Sequence, residues 1–329
     1  MAFYLSYEDT TKLDINMEEL IGVFEDAHKH IGLGSAVYQS RVRLVYPPLS
    51  GDGAGRHWEQ NMRILPAILP GIGAGLRIGA TRGREGRRGG YLIVLFDFDT
   101  MELKAIISDF LIHGIRSAVP DGVAAKYLSR PESHTLGVIG SGRIARWATR
   151  AVCAVRPIKN IKVYSPNPAH RQDFCRSLER NLAAEIEDSD KAELVVRDSD
   201  IIVLATAAKE SVLRGEWLAP GSTVISNTPE ELDAVTVKRS RLVVAFKEEV
   251  LHHVPPYQAV VELISNGELR EEDLSVEMSE VILGRKVGRR SQDEIIAYLN
   301  SGCGLYDVAI GAYVYNKALE KGLGTSLPG

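Results

Sequence analysis

The sequence predicts an α/β protein with two parts: a doubly wound parallel sheet, preceded by a smaller α+β part with a mainly antiparallel sheet. Strand-like segments follow one another over the first hundred residues. After Asp121, strands alternate with helices, which is the pattern of a parallel sheet. The 329 residues are enough for two ordinary domains, and 45% apolar with 25% charged residues is typical of a globular chain.

The first part contains one expected helix and four expected strands. Residues 16–32 form the helix, because Asn16 can cap its start and apolar residues recur from Leu20 to Ala27 at helical spacing. Turns rich in Gly and Pro separate the strands. The strands are expected at residues 40–47, 62–69, 74–80 and 91–99.

The second part begins with an expected helix over residues 121–130, which Pro131 ends. Buried strands then alternate with amphipathic helices, and this alternation predicts the doubly wound sheet. The strands are expected at residues 135–140, 160–165, 200–206, 222–227 and 241–246, and the helices between the first three at residues 144–155 and 170–182.

Composition excludes several classes of protein. A net charge of −4 argues against a nucleic-acid-binding protein, which usually carries a basic excess. No apolar run is long enough to cross a membrane, and the first residues do not read as a secretory signal. The three cysteines lack CxxC spacing, so we expect reduced thiols and a cytoplasmic protein. His252 and His253 are adjacent and have no companion ligands, so no metal site is predicted.

The strongest local signal is a glycine-rich turn, G-x-G-x-x-A, at Gly140, Gly142 and Ala145. It follows a strand and opens a helix, which is the context of a Rossmann-type dinucleotide site. Gly140 permits the tight turn, Gly142 lets the backbone approach a pyrophosphate, and Ala145 lets the helix pack closely on the strand. The expected cofactor-binding residues here are Gly140, Ser141, Gly142, Arg143, Ile144 and Ala145.

The end of the next strand predicts which dinucleotide binds. An acid there would bind the ribose 2′-hydroxyl of NAD and repel a 2′-phosphate, but residues 163–171 contain none. Ser165 and Asn167 can donate to phosphate oxygens, and Arg143 and Arg171 can add positive charge. The segment therefore favours NADP(H), with NAD(H) as the alternative.

Three further segments carry a family resemblance: IRSAVPDGVAAKYLSRP from Ile115, SDIIVLATAAKESVLRGEWLAPGSTV from Ser199, and GRKVGRRSQDEIIAYLNSGCGLYDVAIGAYVYNKALEKGLG from Gly284. With them the chain resembles the ornithine cyclodeaminase/mu-crystallin family over nearly its full length. The resemblance implies a substrate-binding and dimerisation domain at residues 1–118 and 305–329, and a Rossmann NAD(P) domain at residues 119–304. It also implies a homodimer, and it places Ala205, Thr206 and Ala207 beside the nicotinamide.

The resemblance assigns roles to several residues. Arg116 matches the family arginine that grips the substrate carboxylate, and a planar guanidinium suits bidentate binding. Arg41 resembles another arginine near the substrate. Asp307 matches an aspartate near the start of the last helix, where it either caps the helix or orients a substrate group; capping is the favoured interpretation. Arg77 and Arg116 are the candidate catalytic residues.

Two departures from the family pattern bear on the chemistry. Arg77 stands where the family usually has a lysine, and an arginine carries protons poorly because it stays charged. The segment SNTPEELD from Ser226 is shorter than in cyclodeaminases, so their catalytic aspartate has no match. The proton donor is left open among water, His57 and Glu59.

Arginines are also unusually frequent around the predicted substrate site. Arg82, Arg84, Arg87 and Arg88 are read as a solvated loop. A second hypothesis is that Arg41, Arg63, Arg77 and Arg116 converge, which would suit a substrate with more than one acidic group and disfavour the cationic tail of ornithine.

The leading hypothesis is an NADP(H)-dependent oxidoreductase that reduces an α-imino acid or oxidises the corresponding amino acid. The imine is cyclic, or it forms from a keto acid and an amine. The partner is a small carboxylate-bearing molecule, with no nucleic acid and no membrane. Two alternatives stay open: an amino-acid cyclodeaminase that uses NAD catalytically, and a non-catalytic mu-crystallin-like protein that binds NADPH or another ligand.

Overall fold

The computed structural model describes residues 2–46, 60–82, 90–252 and 255–328. The chain separates into two compact units. The first unit comprises Met1–Asn16, Lys29–Arg116 and Cys303–Gly329, and the second comprises Met17–His28 and Ser117–Gly302. Against the expected boundaries at 118/119 and 304/305, the main division falls at 116/117 and 302/303, and residues 17–28 group with the second unit.

The described strands are numbered in chain order. They are β1 (Ala2–Leu5), β2 (Val37–Tyr38), β3 (Val42–Tyr46), β4 (Gln60–Leu69), β5 (Gly73–Arg82), β6 (Tyr91–Phe96), β7 (Leu103–Ser108), β8 (Thr135–Ile139), β9 (Asn160–Tyr164), β10 (Glu185–Ser189), β11 (Ile201–Leu204), β12 (Thr223–Ser226), β13 (Arg241–Val244), β14 (Ile296–Leu299) and β15 (Thr325–Leu327).

The described α-helices are numbered likewise. They are α1 (Tyr7–Thr11), α2 (Met17–Gly32), α3 (Asp109–Leu128), α4 (Arg143–Cys153), α5 (Pro168–Glu179), α6 (Ala192–Arg197), α7 (Ala234–Arg239), α8 (Lys247–Leu251), α9 (Gln258–Ser265), α10 (Met278–Ile282) and α11 (Gly304–Glu320).

The first unit is built on a sheet in the order β15-β1-β7-β6-β5-β4-β2, with β3 also paired to β4. All pairs are antiparallel except β1 with β7. Helix α11 packs on one face, where glycines allow close approach: a Cβ at Gly304 would lie 2.6 Å from the Leu65 carbonyl oxygen. On the other face, apolar side chains such as Leu44 (56% exposed) and Met62 (42%) reach solvent.

The second unit is a parallel sheet in the order β10-β9-β8-β11-β12-β14-β13. Its central strands β8, β11, β12 and β14 are buried along their whole length, as expected for a sheet covered on both faces. The chain leaves β8 for β9 on one side and returns to β11 on the other. The predicted fold class is therefore confirmed. In open parallel sheets, ligands bind at such a switch point.

Helix α3 is the largest difference from the predicted elements. The sequence predicted a helix from Asp121, but α3 starts at Asp109 and continues through Pro120. A proline inside a helix removes one backbone hydrogen bond. Ile115, Val119 and Val123 are each fully buried, so apolar burial along the helix outweighs that loss.

Candidate active site

A cavity of about 910 Å³ opens in the second unit at the carboxyl ends of β8, β9 and β11. Most of the residues predicted to bind the cofactor line it: Gly140, Ser141, Gly142, Arg143, Ile144, Ser165, Asn167, Ala205, Thr206 and Ala207. Its volume is within the range of small-molecule and cofactor sites. Pro166, His170, Arg214 and Trp217 also line it.

The two glycines of the motif are needed for different structural reasons. Gly140 has a φ of +114°, and a Cβ there would lie 2.2 Å from the carbonyl oxygen of Ala205. Gly142 is the N-cap of α4 and makes no side-chain cap, and a Cβ there would have no described atom within 4 Å. The first N–H groups of α4 are therefore available to an anion, and the space beside Gly142 is open to it. These features fit the pyrophosphate of a dinucleotide.

Ala145 and Arg171, also predicted to bind the cofactor, do not line this cavity. Ala145 is fully buried, in keeping with close packing of α4 on the sheet. The Nε of Arg171 donates to Asp188 Oδ2 at 3.0 Å, and its Nη1 donates to the carbonyl oxygen of Ser165 at 2.7 Å. Arg171 therefore supports the backbone at the end of β9, and the positive charge at the cavity comes from Arg143 and Arg214.

A buried carboxylate, Glu231, joins the ends of β11 and β12. Its Oε1 accepts from the backbone N–H of Thr206 at 2.7 Å. Its Oε2 accepts from the N–H of Asn227 at 2.8 Å and from that of Thr228 at 3.0 Å. Thr206 lines the cavity, so Glu231 holds part of the cavity wall in place.

Asp121, another buried acid, lies at the centre of an amide network in the second unit. Asn227 Nδ2 donates to its Oδ2 at 2.9 Å, and Asn300 Nδ2 donates to its Oδ1 at 2.8 Å. Burial raises the pKa of Asp121 to about 8, against the two amide hydrogen bonds, which lower it.

In the first unit, two arginines meet two aspartates out of contact with solvent. Arg77 (1% exposed) donates from Nε to Asp109 Oδ2 at 2.5 Å. Arg116 Nε lies 3.1 Å from Asp307 Oδ1, and Arg77 Nε lies 3.8 Å from the same oxygen. Burial raises the pKa of Asp307 to about 6, although both guanidiniums act to lower it. The Nη2 of Arg77 has no hydrogen-bond partner among the described residues.

Sheet register explains why these side chains meet. Leu65, Arg77 and Ile93 are direct cross-strand partners, so their side chains share one face. Helix α11 packs on this face, because Gly75, which shares it, lies against Val308 of that helix. Asp307 is the residue before Val308 in α11, so this helix also carries Asp307 to the same face. In α3, Asp109 and Arg116 are two turns apart and therefore lie on the same side of the helix.

The next cross-strand row on the same face is Arg43, Arg63, Gly79 and Tyr91. A Cβ at Gly79 would lie 3.0 Å from the Tyr91 ring, so the glycine makes room for that ring. Arg63 donates to the Tyr91 hydroxyl at 3.4 Å, and the guanidinium of Arg77 lies 5.1 Å from the ring centroid. Tyr91 thus connects the two arginines.

The arginines predicted to converge are electrostatically coupled. Burial lowers the pKa of Arg63, and the guanidiniums of Arg77 and Arg116 lower it further. Arg41 also acts on Arg116 and on Asp307. Asp307 was expected to cap its helix, and that expectation was wrong: Cys303 is the N-cap, and the Asp307 side chain turns to the arginines instead.

Other predicted positions lie outside the described residues. These are the candidate proton donors His57 and Glu59, the loop arginines Arg84, Arg87 and Arg88, and His253. Arg82 ends β5. In the part of the chain that is described, no group of three or more His, Cys, Asp or Glu side chains could hold a metal ion. Within the same part, no helix has both the length and the apolar character that crossing a bilayer requires.

Sequence reasoning missed Asp109, Tyr91, Glu231 and Asp121. Asp109 directly follows β7, but no feature of the nearby sequence connects it with Arg77, which lies 32 residues earlier. Glu231 belongs to the Glu-Leu-Asp segment noted in the sequence, and its buried position required the structure.

The chain is similar to known proteins over nearly its full length. The sequence profile of the ornithine cyclodeaminase/mu-crystallin family matches residues 6–322. An alanine dehydrogenase of Archaeoglobus fulgidus is 28% identical over 333 residues, covering 98% of this chain and 97% of the relative. A Δ1-pyrroline-2-carboxylate reductase of Bacillus cereus is 28% identical, covering 97% of this chain and 98% of the relative.

Among solved structures, the Thermococcus litoralis Δ1-pyrroline-2-carboxylate reductase in complex with NADH and L-proline matches with a TM-score of 0.88. It is 29% identical, and the match covers 99% of this chain and 100% of that one.

Proposed function

This chain belongs to the ornithine cyclodeaminase/mu-crystallin family, and from that premise we propose that it is an NADP(H)-dependent reductase of α-imino acids. In the reverse direction it oxidises the corresponding amino acid. The observation that carries the proposal is the cavity at the ends of β8, β9 and β11, whose glycine turn and uncapped helix start suit a dinucleotide.

The chain is an oxidoreductase of the nicotinamide-dependent imine reductase and amino-acid dehydrogenase kind. Its full-length relatives include an alanine dehydrogenase and a Δ1-pyrroline-2-carboxylate reductase at equal identity. Both names describe chemistry at a carbon that carries a carboxylate and a nitrogen. The shared reaction class is therefore better supported than either substrate.

The first unit supplies the groups that hold the substrate carboxylate. Arg116 and the Nη2 of Arg77 offer buried N–H donors, and a guanidinium binds a carboxylate through two parallel hydrogen bonds. Asp109 and Asp307 fix the orientation of these guanidiniums before the substrate arrives. Such preorganisation lowers the entropic cost of placing the imine carbon for reaction.

The second unit supplies the groups that hold the cofactor. Ser141 through Ile144 would bind the pyrophosphate, and Ala205 through Ala207 would lie along the nicotinamide half. The bound nicotinamide supplies the hydride for the imine carbon, and a proton reaches the nitrogen, so that an imine becomes an amine.

The preference for NADP(H) rests on the neutral and basic lining beyond β9. Ser165, Asn167 and His170 line that end of the cavity, together with Arg143, and no acid does so among the described residues. We expect kcat/KM for NADPH to exceed that for NADH by at least about tenfold. The Arg143→Gln variant should reduce this ratio, whereas a wild-type preference for NADH would refute the assignment.

A homodimer is the proposed assembly, formed through the outer face of the first sheet. Val37 (62% exposed), Leu44 and Met62 lie on that face, and apolar side chains exposed together on one face are typical of an interaction surface. Light scattering should give twice the chain mass, and Leu44→Glu should shift the population toward monomer. A monomeric wild-type protein would contradict this assembly.

The activity is tested by following NADPH oxidation with purified protein. The panel includes cyclic imino acids and α-keto acids mixed with ammonia, simple amines or acidic amino acids. Oxidation with any of these imines supports the reductase, and Arg116→Gln should lower kcat/KM by about a hundredfold or more.

The same experiment separates the alternatives. Release of ammonia from ornithine or lysine without net NADPH change would identify a cyclodeaminase. Tight NADPH binding without turnover on the panel would favour a binding protein.

A further inference from the structure

We propose that the substrate is a dicarboxylic α-imino acid, whose α-carboxylate is held by Arg77 and Arg116 and whose side-chain carboxylate is bound by Arg63. This inference rests on the proposed reductase function and narrows its substrate class. The reduction product would be an acidic amino acid.

Among the described residues, one arginine on this face of the sheet has no acidic partner. Asp109 and Asp307 lie within ion-pair distance of Arg77 and Arg116, so these two arginines are balanced inside the fold. Arg63, half-buried on the same face, forms no ion pair with any described acid; its described polar contact is with the Tyr91 hydroxyl. A buried charge without a counter-charge is costly, so a bound anion would relieve it.

Neighbouring guanidiniums on this face act on one another. Burial lowers the pKa of Arg43 to about 10, and the guanidiniums of Arg41 and Arg63 lower it further. Arg43 is the direct cross-strand partner of Arg63. The two guanidiniums therefore lie close enough to act on each other electrostatically.

The spacing suits two separate carboxylates. Arg63 lies opposite Gly79, and Arg77 is two residues from Gly79 along β5, so the two arginines are diagonal neighbours. The Cα atoms of diagonal neighbours across an antiparallel pair are about 7–8 Å apart, so two arginine side chains placed in this way can reach the two ends of one small diacid. Gly79 leaves room for the Tyr91 ring, which contacts both arginines.

The same charges explain what the site would reject. A cationic side chain, as in ornithine or lysine, would approach Arg63 and its neighbours and be repelled. A small neutral side chain would leave Arg63 without an anion and would forgo a charge-assisted hydrogen bond.

The test compares two imines formed in solution with ammonia: one from oxaloacetate, and one from pyruvate as the monocarboxylic counterpart. Wild-type protein should prefer the dicarboxylic imine. Arg63→Gln should lower kcat/KM for that imine by about a hundredfold and change the pyruvate imine by less than about threefold. Lys104→Gln, which removes one positive charge from the same unit, is the matched control and should change neither.

A binding measurement separates this inference from the proposed function. Calorimetry of the protein with NADPH should show succinate binding more tightly than propionate, and Arg63→Gln should abolish the difference. If neither imine is reduced, the reductase proposal fails, and the succinate result still decides the role of Arg63. Equal binding of the two acids by the wild type, or equal losses on both imines in Arg63→Gln, would overturn the inference.

Discussion

Replacing each motif glycine with alanine separates the fold of the cofactor cavity from its binding function. At Gly142, φ is −77°, which alanine adopts readily, and the added Cβ meets no described atom within 4 Å. We therefore expect Gly142→Ala to change the free energy of unfolding by less than about 1 kcal/mol. The methyl group would occupy the space that the pyrophosphate needs, so NADPH affinity should fall at least about tenfold.

Gly140→Ala is the matched control, because here the fold itself should suffer. A non-glycine residue at a φ of +114° costs about 1–3 kcal/mol in backbone strain. The Cβ would also lie 2.2 Å from the Ala205 carbonyl oxygen, and such overpacking adds about 1–3 kcal/mol. The sum is about 2–6 kcal/mol, which corresponds to a Tm lower by about 4–24 °C at roughly 2–4 °C per kcal/mol.

The assay pairs thermal unfolding without cofactor with NADPH titration by fluorescence. Gly142→Ala should keep the wild-type Tm and lose affinity, whereas Gly140→Ala should lose Tm. If Gly142→Ala binds NADPH as tightly as the wild type, the pyrophosphate does not lie against this turn, and the assignment of the cavity is wrong.

Three further predictions concern the buried charges. Arg77→Met should lower the free energy of unfolding by about 3–5 kcal/mol in denaturant titrations, because it removes the guanidinium 2.5 Å from buried Asp109; a loss below about 1 kcal/mol would contradict this pairing. Glu231→Gln should weaken NADPH binding about tenfold and also lower the Tm, because an amide nitrogen replaces one of the two buried oxygens that accept from backbone N–H groups; unchanged affinity would show that the wall does not depend on it. The pKa of Asp121 is about 8 in the folded chain and 3.8 in the unfolded chain. The protonated carboxyl therefore stabilises the fold at low pH, and this contribution to the free energy of unfolding is lost as the pH rises to 8. The buried His28 acts in the opposite direction, because burial lowers its pKa to about 3, but its effect ends above pH 6.5, the pKa of an unfolded imidazole. From pH 6.5 to 8 the free energy of unfolding should therefore fall by up to about 1.4 kcal/mol per pH unit. A flat Tm over this range would refute the assignment.

Most residues that the sequence assigned to a cofactor site line one cavity, because the determinants of that turn are local. Gly140, Gly142 and the start of α4 lie within one strand–turn–helix segment. The positive φ at position 140 requires a glycine, and Gly142 leaves open the space beside the first turn of α4. Strand β14 was missed because four apolar residues, Ile296–Leu299, carry no periodicity that distinguishes them from other buried segments. Its place between β12 and β13 is set by tertiary packing alone.

The substrate side was predicted only in part, for the same physical reason. Which arginines belong to it could be proposed from the family pattern, but their partners could not. Asp109 pairs with Arg77 across 32 residues, and Asp307 reaches Arg116 from the last helix of the chain. Such pairs depend on sheet register and helix packing, which the local sequence does not specify.

The balance between these charges bears on how an arginine can replace the family lysine. A lysine at position 77 could give up its proton on burial, whereas Arg77 must keep its charge and therefore needs a carboxylate beside it. Asp109 supplies that carboxylate at 2.5 Å. The pair leaves Arg77 suited to hold a substrate carboxylate and unsuited to carry a proton. Under the proposed substrate class, discrimination between substrates would then depend on Arg63, which has no acidic partner among the described residues.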